Sequence, residues 1–361
     1  MQSSNKNQLL ENPILPVDIV LAPPWWYRHA GITFDPDFFY HPARRVEVEQ
    51  QMENVLYERW GRYGLGADKD EKRPEVGAVH LAAGFMLSEM LGCEVEYKED
   101  QPPTVLPAAI ESLEINPDDA FTSPAWKRFE TLSGELKKRH GHLTGDVNWG
   151  GILNVALDLR GEMLFMDMFD KPGRVHAFLK AIADVTERFV DHIQTETGTS
   201  SISVNRVVKQ FDKPVWLHSE CSHTMISNDN YEDFLMTYDA AWAESHRPFG
   251  IHYCGEDPHR YAEIFAKLPH LDFLDVGWGG DVKELRRHLP DTFLNIRLSP
   301  VEIVKKDTEE IKKTVAQLVR ESGNPWLTGV CCINMDDKVA DEQVAAVFEA
   351  VETLRNEFGK A

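Results

Sequence analysis

The sequence predicts an α/β protein, a (β/α)8 TIM barrel in one domain, and three observations carry that expectation. Short apolar runs recur through the C-terminal half: "PVWLHSE", "FGIHYC", "LDFLDVG", "TFLNIRL" and "PWLTGVCC". Most are separated by amphipathic or charged helical patterns such as "NYEDFLMTYDAAWAES", "DPHRYAEIFAKL" and "DTEEIKKTVAQLVRE". Strands alternating with helices at intervals of about 20 to 35 residues mark parallel βαβ units. The chain of 361 residues leaves room for three such units before these five, and it carries no glycine-rich nucleotide loop of either usual kind. Both points favour a barrel over a doubly wound sheet.

Taken in order, residues 1–75 read as an N-terminal aromatic and helical extension to a single barrel domain spanning 1–361. The stretch "PPWWYRHAGITFDPDFFYHP" mixes aromatics with turn residues, and "ARRVEVEQQMENVLYERWGRYG" alternates charge and apolar residues at helical spacing. A charged surface connection, "GADKDEKRPEVG", leads to an apolar helix, "GAVHLAAGFMLSEMLG", with Gly92 as its C-cap. The Pro-rich acidic run "KEDQPPTVLPAAIESLEINPDDA" reads as an exposed insertion. "SPAWKRFETLSGELKKRHG" is a helix capped by Ser123 and closed by Gly141, and "KPGRVHAFLKAIADVTERFVDHIQTETG" is a longer one.

Composition narrows the function. The chain is 42% hydrophobic with no low-complexity stretch, enough to bury a full core without disulfide or metal staples. With 38 Lys and Arg against 59 Asp and Glu, the net charge is −21. That argues against nucleic acid, which needs clustered cations, and is compatible with a protein partner that has a basic docking surface. The N-terminus lacks a basic segment followed by an apolar core, and no apolar run reaches about 18 residues. A cytoplasmic protein with no membrane span is expected. Five cysteines, irregularly spaced, are too few for a disulfide framework, so reduced thiols are expected.

In such a barrel, chemistry sits on the loops at the C-terminal ends of the strands. His252 and Cys254, two apart at one predicted strand end, point to the same face. Cys331 and Cys332 end another strand three units later, roughly across the opening. Histidine and cysteines form a borderline-soft N/S ligand set that suits zinc, and three protein ligands leave a catalytic position open. Consecutive cysteines on a strand face opposite ways, so one of Cys331 and Cys332 should ligate, and the spacing leaves the choice open. One unit before His252, "WLHSECSH" places His218 and Glu220 in the same relation. Glu220 is a candidate fourth ligand or general base and His218 a candidate donor behind it. A lone histidine or cysteine is usually packing, as Cys93 is expected to be; the set as a whole points to a metal.

Three stretches, "PPWWYRHAGITFD", "GDVNWGGILNVALDLRGEMLFMDMFDKPGRVHAFL" and "FGIHYCGEDPHRYAEIFAKLPHLDFLDVGWGGDV", resemble the uroporphyrinogen decarboxylase superfamily. The resemblance implies a uroporphyrinogen decarboxylase-like barrel. It also implies membership of a family that includes metal-free decarboxylases and a branch of zinc methyltransferases exchanging methyl groups with corrinoid proteins. His252 and Cys254 match the His-x-Cys…Cys ligand set of that branch, and "GVCCINMDD" offers two cysteines for its third ligand. Arg28 and Ala30-Gly31 match the decarboxylases' arginine loop, but His29 replaces its glutamine and Ile32 stands where its second arginine would be. The resemblance therefore implies a zinc methyltransferase whose corrinoid (cobalamin) arrives on a partner protein, with Trp26, Tyr27 and Arg28 as substrate contacts. The aromatics Trp25, Trp26, Tyr27, Phe34, Phe38, Phe39 and Tyr40 suggest a methoxylated aromatic substrate and O-demethylation. A methylcobalamin:coenzyme M type of transfer and a metal-free decarboxylase of the parent type are the alternatives.

Overall fold

The computed structural model describes residues 14–67, 74–78, 80, 84–145, 147–198, 211, 213 and 215–359. Its strands are β1 (Val17–Leu21), β2 (Glu94–Glu96), β3 (Thr104–Leu106), β4 (Trp216–Ser219), β5 (Phe249–His252), β6 (Phe273–Val276), β7 (Phe293–Arg297) and β8 (Thr328–Met335). Six of them form one parallel sheet in the order β1-β8-β7-β6-β5-β4. The other two, β2 and β3, pair antiparallel as a hairpin inside the Pro-rich insertion.

The parallel strands are short and buried along nearly their whole length, because helices cover the outer face and the barrel interior covers the other. Between β1 and β4 in the chain, two short segments continue the curl. Val76 N–H donates to Thr144 O at 3.0 Å and Thr144 N–H to Pro74 O at 3.1 Å, a parallel bridge between Glu75 and Thr144. Farther along the second segment, Gly151 N–H donates to Ser219 O of β4 at 2.7 Å. The architecture is thus an α/β, TIM-barrel-like fold, in which the described residues form six regular parallel strands and two short bridging segments.

Strands β4 to β8 are the five apolar runs recognised in the sequence. The first strand is different: β1 lies inside the stretch read as an N-terminal extension, yet it pairs with β8 along Val17–Leu21. Its five residues are followed at once by Pro23-Pro24 and a helix, Pro23–Ala30, so aromatic and proline signals obscure it. Most of the aromatics that follow are core. Trp25, Trp26, Phe34, Phe38 and Phe39 are buried, and only Tyr27 is exposed, at 43%. Packing accounts for them, with edge contacts such as Phe38–Phe39 at 4.8 Å and Phe39–Phe85 at 5.3 Å.

Helices form where capping and periodicity place them. In Pro124–His140, Ser123 Oγ accepts Trp126 N–H at 3.1 Å, four basic residues fill the last turn, and Gly141 closes it at φ 79°. The exposed Gly134 within it would meet nothing within 4 Å if it carried a Cβ. Gly134→Ala is expected to raise stability by about 0.5–1 kcal/mol, because alanine costs less backbone entropy in a helix. A lower urea midpoint would contradict this. The apolar helix expected over "GAVHLAAGFMLSEMLG" is confined to Met86–Met90, with residues 79 and 81–83 outside the described residues. The 26-residue helix Pro172–Thr197 buries Val175, Phe178, Leu179, Ile182, Val185 and Phe189 along one stripe and ends at Gly198. Among the described residues no helix is long and apolar enough to cross a membrane.

Candidate metal centre

The register of β4 against β5 pairs Ser219 with His252, so the two chains leave the sheet side by side. Cys221 opens a 3-10 turn, Cys221–Met225, after β4, and Cys254 follows β5 by two residues. Their sulfurs approach to 2.7 Å, and His252 Nε2 lies 2.8 Å from Cys254 Sγ. One ligand atom from each of Cys221, His252 and Cys254 falls within 4.8 Å of the others. His252 is buried, while both cysteines are partly exposed.

Neighbouring strands hold this cluster from behind. The β5–β6 register sets His252 beside Asp275, and the β6–β7 register sets Asp275 beside Asn295. Asp275 Oδ2 bonds His252 Nδ1 at 2.5 Å, and Asn295 Nδ2 donates to Asp275 Oδ1 at 3.1 Å. A carboxylate on Nδ1 turns Nε2 toward the thiols and raises its basicity as a ligand. The protons are shared accordingly. A hydrogen bond from the Cys221 thiol, against the effect of burial and aided by His252 and Arg297, holds Cys254 well below the usual thiol range. The same bond, together with burial, pushes Cys221 up. Burial opposes charge on His252, but Cys254 and Asp275 outweigh it and raise the imidazole to about 9.

Two sulfurs and one imidazole nitrogen fit zinc, and three such donors leave a fourth position. Asp275→Asn is expected to lower zinc affinity about 10–100-fold while leaving the cluster's own three donors in place. Competition against a chromophoric chelator measures this, and an unchanged affinity would remove Asp275 from the site's support.

Glu220 and His218 have other partners. Glu220 is buried, its Oε2 accepts Leu153 N–H at 2.7 Å, and its Oε1 accepts Ser222 N–H at 3.1 Å. His218 Nε2 accepts Ile152 N–H at 3.3 Å, and its Nδ1 bonds Asp239 Oδ1 at 2.6 Å. Asp239 Oδ2 in turn accepts the Tyr231 hydroxyl at 2.7 Å. Both residues therefore satisfy the first amides of the helix Ile152–Arg160, groups that every helix leaves unmade. A Cβ on Gly151 would stand 2.4 Å from Glu220 Oε2, which explains the glycine there. Burial pushes Glu220 up to about 7, and the two amides pull against that.

The cluster of donors differs from the set expected from the sequence in its third member. Strand β8 runs on to Met335, so Cys331 and Cys332 lie in mid-strand, and neither belongs to the three-donor cluster. Cys331 Sγ sits behind His252, 3.4 Å from Asn295 Nδ2 and 3.8 Å from Asp275 Oδ1. Cys332 turns to the opposite face, 3.6 Å from Leu298 O. The third donor of that cluster is Cys221. Its signal in the sequence is a mirror pattern: "CSH" follows one strand as "HYC" ends the next, and adjacent parallel strands deliver such residues to one place.

The residues expected to touch substrate are divided. Trp26 is buried against Trp25 and His80, with ring centroids at 5.1 and 5.9 Å. Arg28 is ion-paired with Asp337, and His29 Nε2 bonds Asp337 O at 2.9 Å, which ties the first helix to the loop after β8. Tyr27 alone of the three aromatic and cationic candidates is exposed without such a tie to the loop.

Comparison with known proteins follows the same lines. The profile of the family described as Uroporphyrinogen decarboxylase (URO-D) matches residues 78–354, well over half of the chain. No match was found among curated proteins. Among solved structures, one described as a methyltransferase from Methanosarcina mazei is 15% identical, with a TM-score of 0.66, covering 98% of this chain and 99% of that one. A B12-independent methionine synthase from Shewanella sp. W3-18-1, in complex with selenomethionine, is 10% identical, with a TM-score of 0.52, covering 97% of this chain and 100% of that one. At such identities these likenesses concern the fold.

Proposed function

The chain belongs to the uroporphyrinogen decarboxylase (URO-D) family, and from that premise we propose that it is a zinc-dependent methyltransferase acting with a corrinoid protein. The observation that carries the reading is the convergence of Cys221, His252 and Cys254 at the ends of β4 and β5. These three residues would hold the zinc, rather than His252, Cys254 and Cys331 or Cys332. Bound there, zinc supplies a Lewis acid with thiolate ligands, able to lower the pKa of a thiol or to polarise an ether oxygen.

The chain's own groups perform the rest. Asp275 fixes the His252 tautomer, and Asn295 fixes Asp275. Glu220 and His218 hold the start of the helix Ile152–Arg160 against β4, which steadies the turn that carries Cys221. They act as positioning residues. The two partly exposed cysteines follow the C-terminal ends of β4 and β5, the end of a barrel where a small methylated substrate would enter and a corrinoid protein would present its cobalt. A partner with a basic face suits a chain of net charge −21. A methoxylated aromatic is the favoured substrate; a thiol acceptor of the coenzyme M type is the second reading, because a thiolate-rich zinc site also suits thiols.

A decarboxylase of the parent type is disfavoured by Arg28, the arginine that matches the family's loop. It is paired with Asp337, so its charge is engaged within the chain. The test is direct. Purified protein is expected to hold about one zinc per chain, and mixing with a cob(I)alamin protein and methoxylated aromatics should convert the cobalt spectrum to that of methylcobalamin. No zinc, or no spectral change across methoxylated aromatics and methylated thiols, would sink the proposal.

A further inference from the structure

Arg297 at the end of β7 lies against the metal centre and has bonding capacity left over. It is buried, at 5% exposure, and its Nη1 donates to Cys254 Sγ at 3.5 Å. Its guanidinium lies 5.3 Å from the centroid of the Trp278 ring. Trp278, on the loop after β6 and partly exposed, is steadied by its indole N–H, which donates to Glu256 Oε1 at 3.2 Å. The Nε of Arg297 is also buried and has no hydrogen-bond partner.

Charge balance alone explains part of this arrangement, since Asp275 and Cys254 both oppose the guanidinium. It leaves Nε unexplained. A buried donor without a partner is costly, and buried donors in folded proteins are nearly always satisfied by protein, water or ligand. Arginine presents its donors as a planar fork matched to carboxylates, and its flat face beside an indole suits a planar aromatic ligand. The Asp275 carboxylate is engaged by His252 and Asn295, and the Glu256 carboxylate that holds the Trp278 indole N–H is exposed to solvent, which screens it. An acidic chain thus places a buried cation with a free donor beside its reactive cluster.

We propose that Arg297 and Trp278 form a subsite for a carboxylate on the substrate, so that the methylated compound is an aromatic acid of the methoxybenzoate class rather than a neutral ether. This rests on the methyl-transfer reading for what the bound compound undergoes, but the binding stands separately. The guanidinium receives the carboxylate, the indole faces the ring, and the neighbouring cluster of Cys221, His252 and Cys254 faces the methoxy group.

Binding to the zinc-loaded protein, without corrinoid protein, tests the subsite on its own. Titration calorimetry with 3-methoxybenzoate and with anisole is expected to show the acid bound at least about 10-fold tighter. Arg297→Met should weaken 3-methoxybenzoate about 10- to 100-fold, leave anisole unchanged and keep zinc stoichiometric. If that variant fails to fold, Arg297→Lys and Trp278→Ala replace it, and both should narrow the preference. Equal binding of acid and ether by the native protein would overturn the proposal. So would a preference that survives Arg297→Met, or both replacement variants. Methyl transfer to a corrinoid protein, assayed in parallel, separates the two readings: acid-selective binding without transfer refutes the function, and transfer without acid selectivity refutes the subsite.

Discussion

Cys254→Ala is expected to leave the purified protein with little zinc, and with an affinity reduced by more than the roughly 10–100-fold that loss of a supporting residue causes. Cys254 meets both other members of the cluster, the Cys221 sulfur at 2.7 Å and His252 Nε2 at 2.8 Å, and also Arg297 Nη1 at 3.5 Å. Its removal takes away a thiolate and leaves Arg297 beside a neutral group. Cys221→Ala should behave in the same way, whereas Cys331→Ala and Cys332→Ala should retain zinc, since neither sulfur belongs to the cluster. Metal analysis by mass spectrometry on the four variants decides the ligand set. A Cys331→Ala protein that loses zinc while Cys221→Ala keeps it would restore the ligand expected from the sequence.

The second large effect concerns the backbone beneath the site. Gly277, after β6, lies so close to Gly255, after β5, that a Cβ on it would stand 1.7 Å from Gly255 O and 2.8 Å from its carbonyl carbon. Backbone cannot swing aside as a flexible side chain can. Gly277→Ala must therefore separate the two loops, at a cost of about 3 kcal/mol or more. One of those loops begins at Cys254, so zinc content should fall together with the urea midpoint. A variant with native stability and full zinc would show that the loops do not need their close approach.

Most of the barrel was legible because parallel strands covered on both faces read as short continuous apolar runs, and "FGIH", "FLDV" and "FLNIR" are such runs. The first strand was not, since five residues beside a proline-aromatic cluster carry too little periodicity. Within the site, His252 and Cys254 were found from their spacing and from their position at a strand end. In the sequence the apolar run "PWLTGVCC" stops at Cys331 and Cys332, which places them at a strand end, while β8 continues through Ile333 and Met335. Cys221 carries a weaker signal in the sequence than Glu220 beside it, because a carboxylate close to a histidine suggests acid–base chemistry. Only three-dimensional packing reveals that the amides of Ile152, Leu153 and Ser222 already occupy His218 and Glu220. The aromatic run near the N-terminus suggested a pocket wall, and its regular burial is a matter of tertiary context that composition cannot supply.

The uneven ladder of the barrel divides the mouth mechanically. Strands β4 to β8 are joined edge to edge, and they carry Cys221, His252, Cys254, Asp275 and Arg297 on one stiff arc. Among the described residues, the opposite arc is joined by the bridge between Glu75 and Thr144 and by the bond from Gly151 N–H to Ser219 O. The donor atoms of the cluster thus share one continuously paired stretch of sheet, whose ladder fixes their mutual distances.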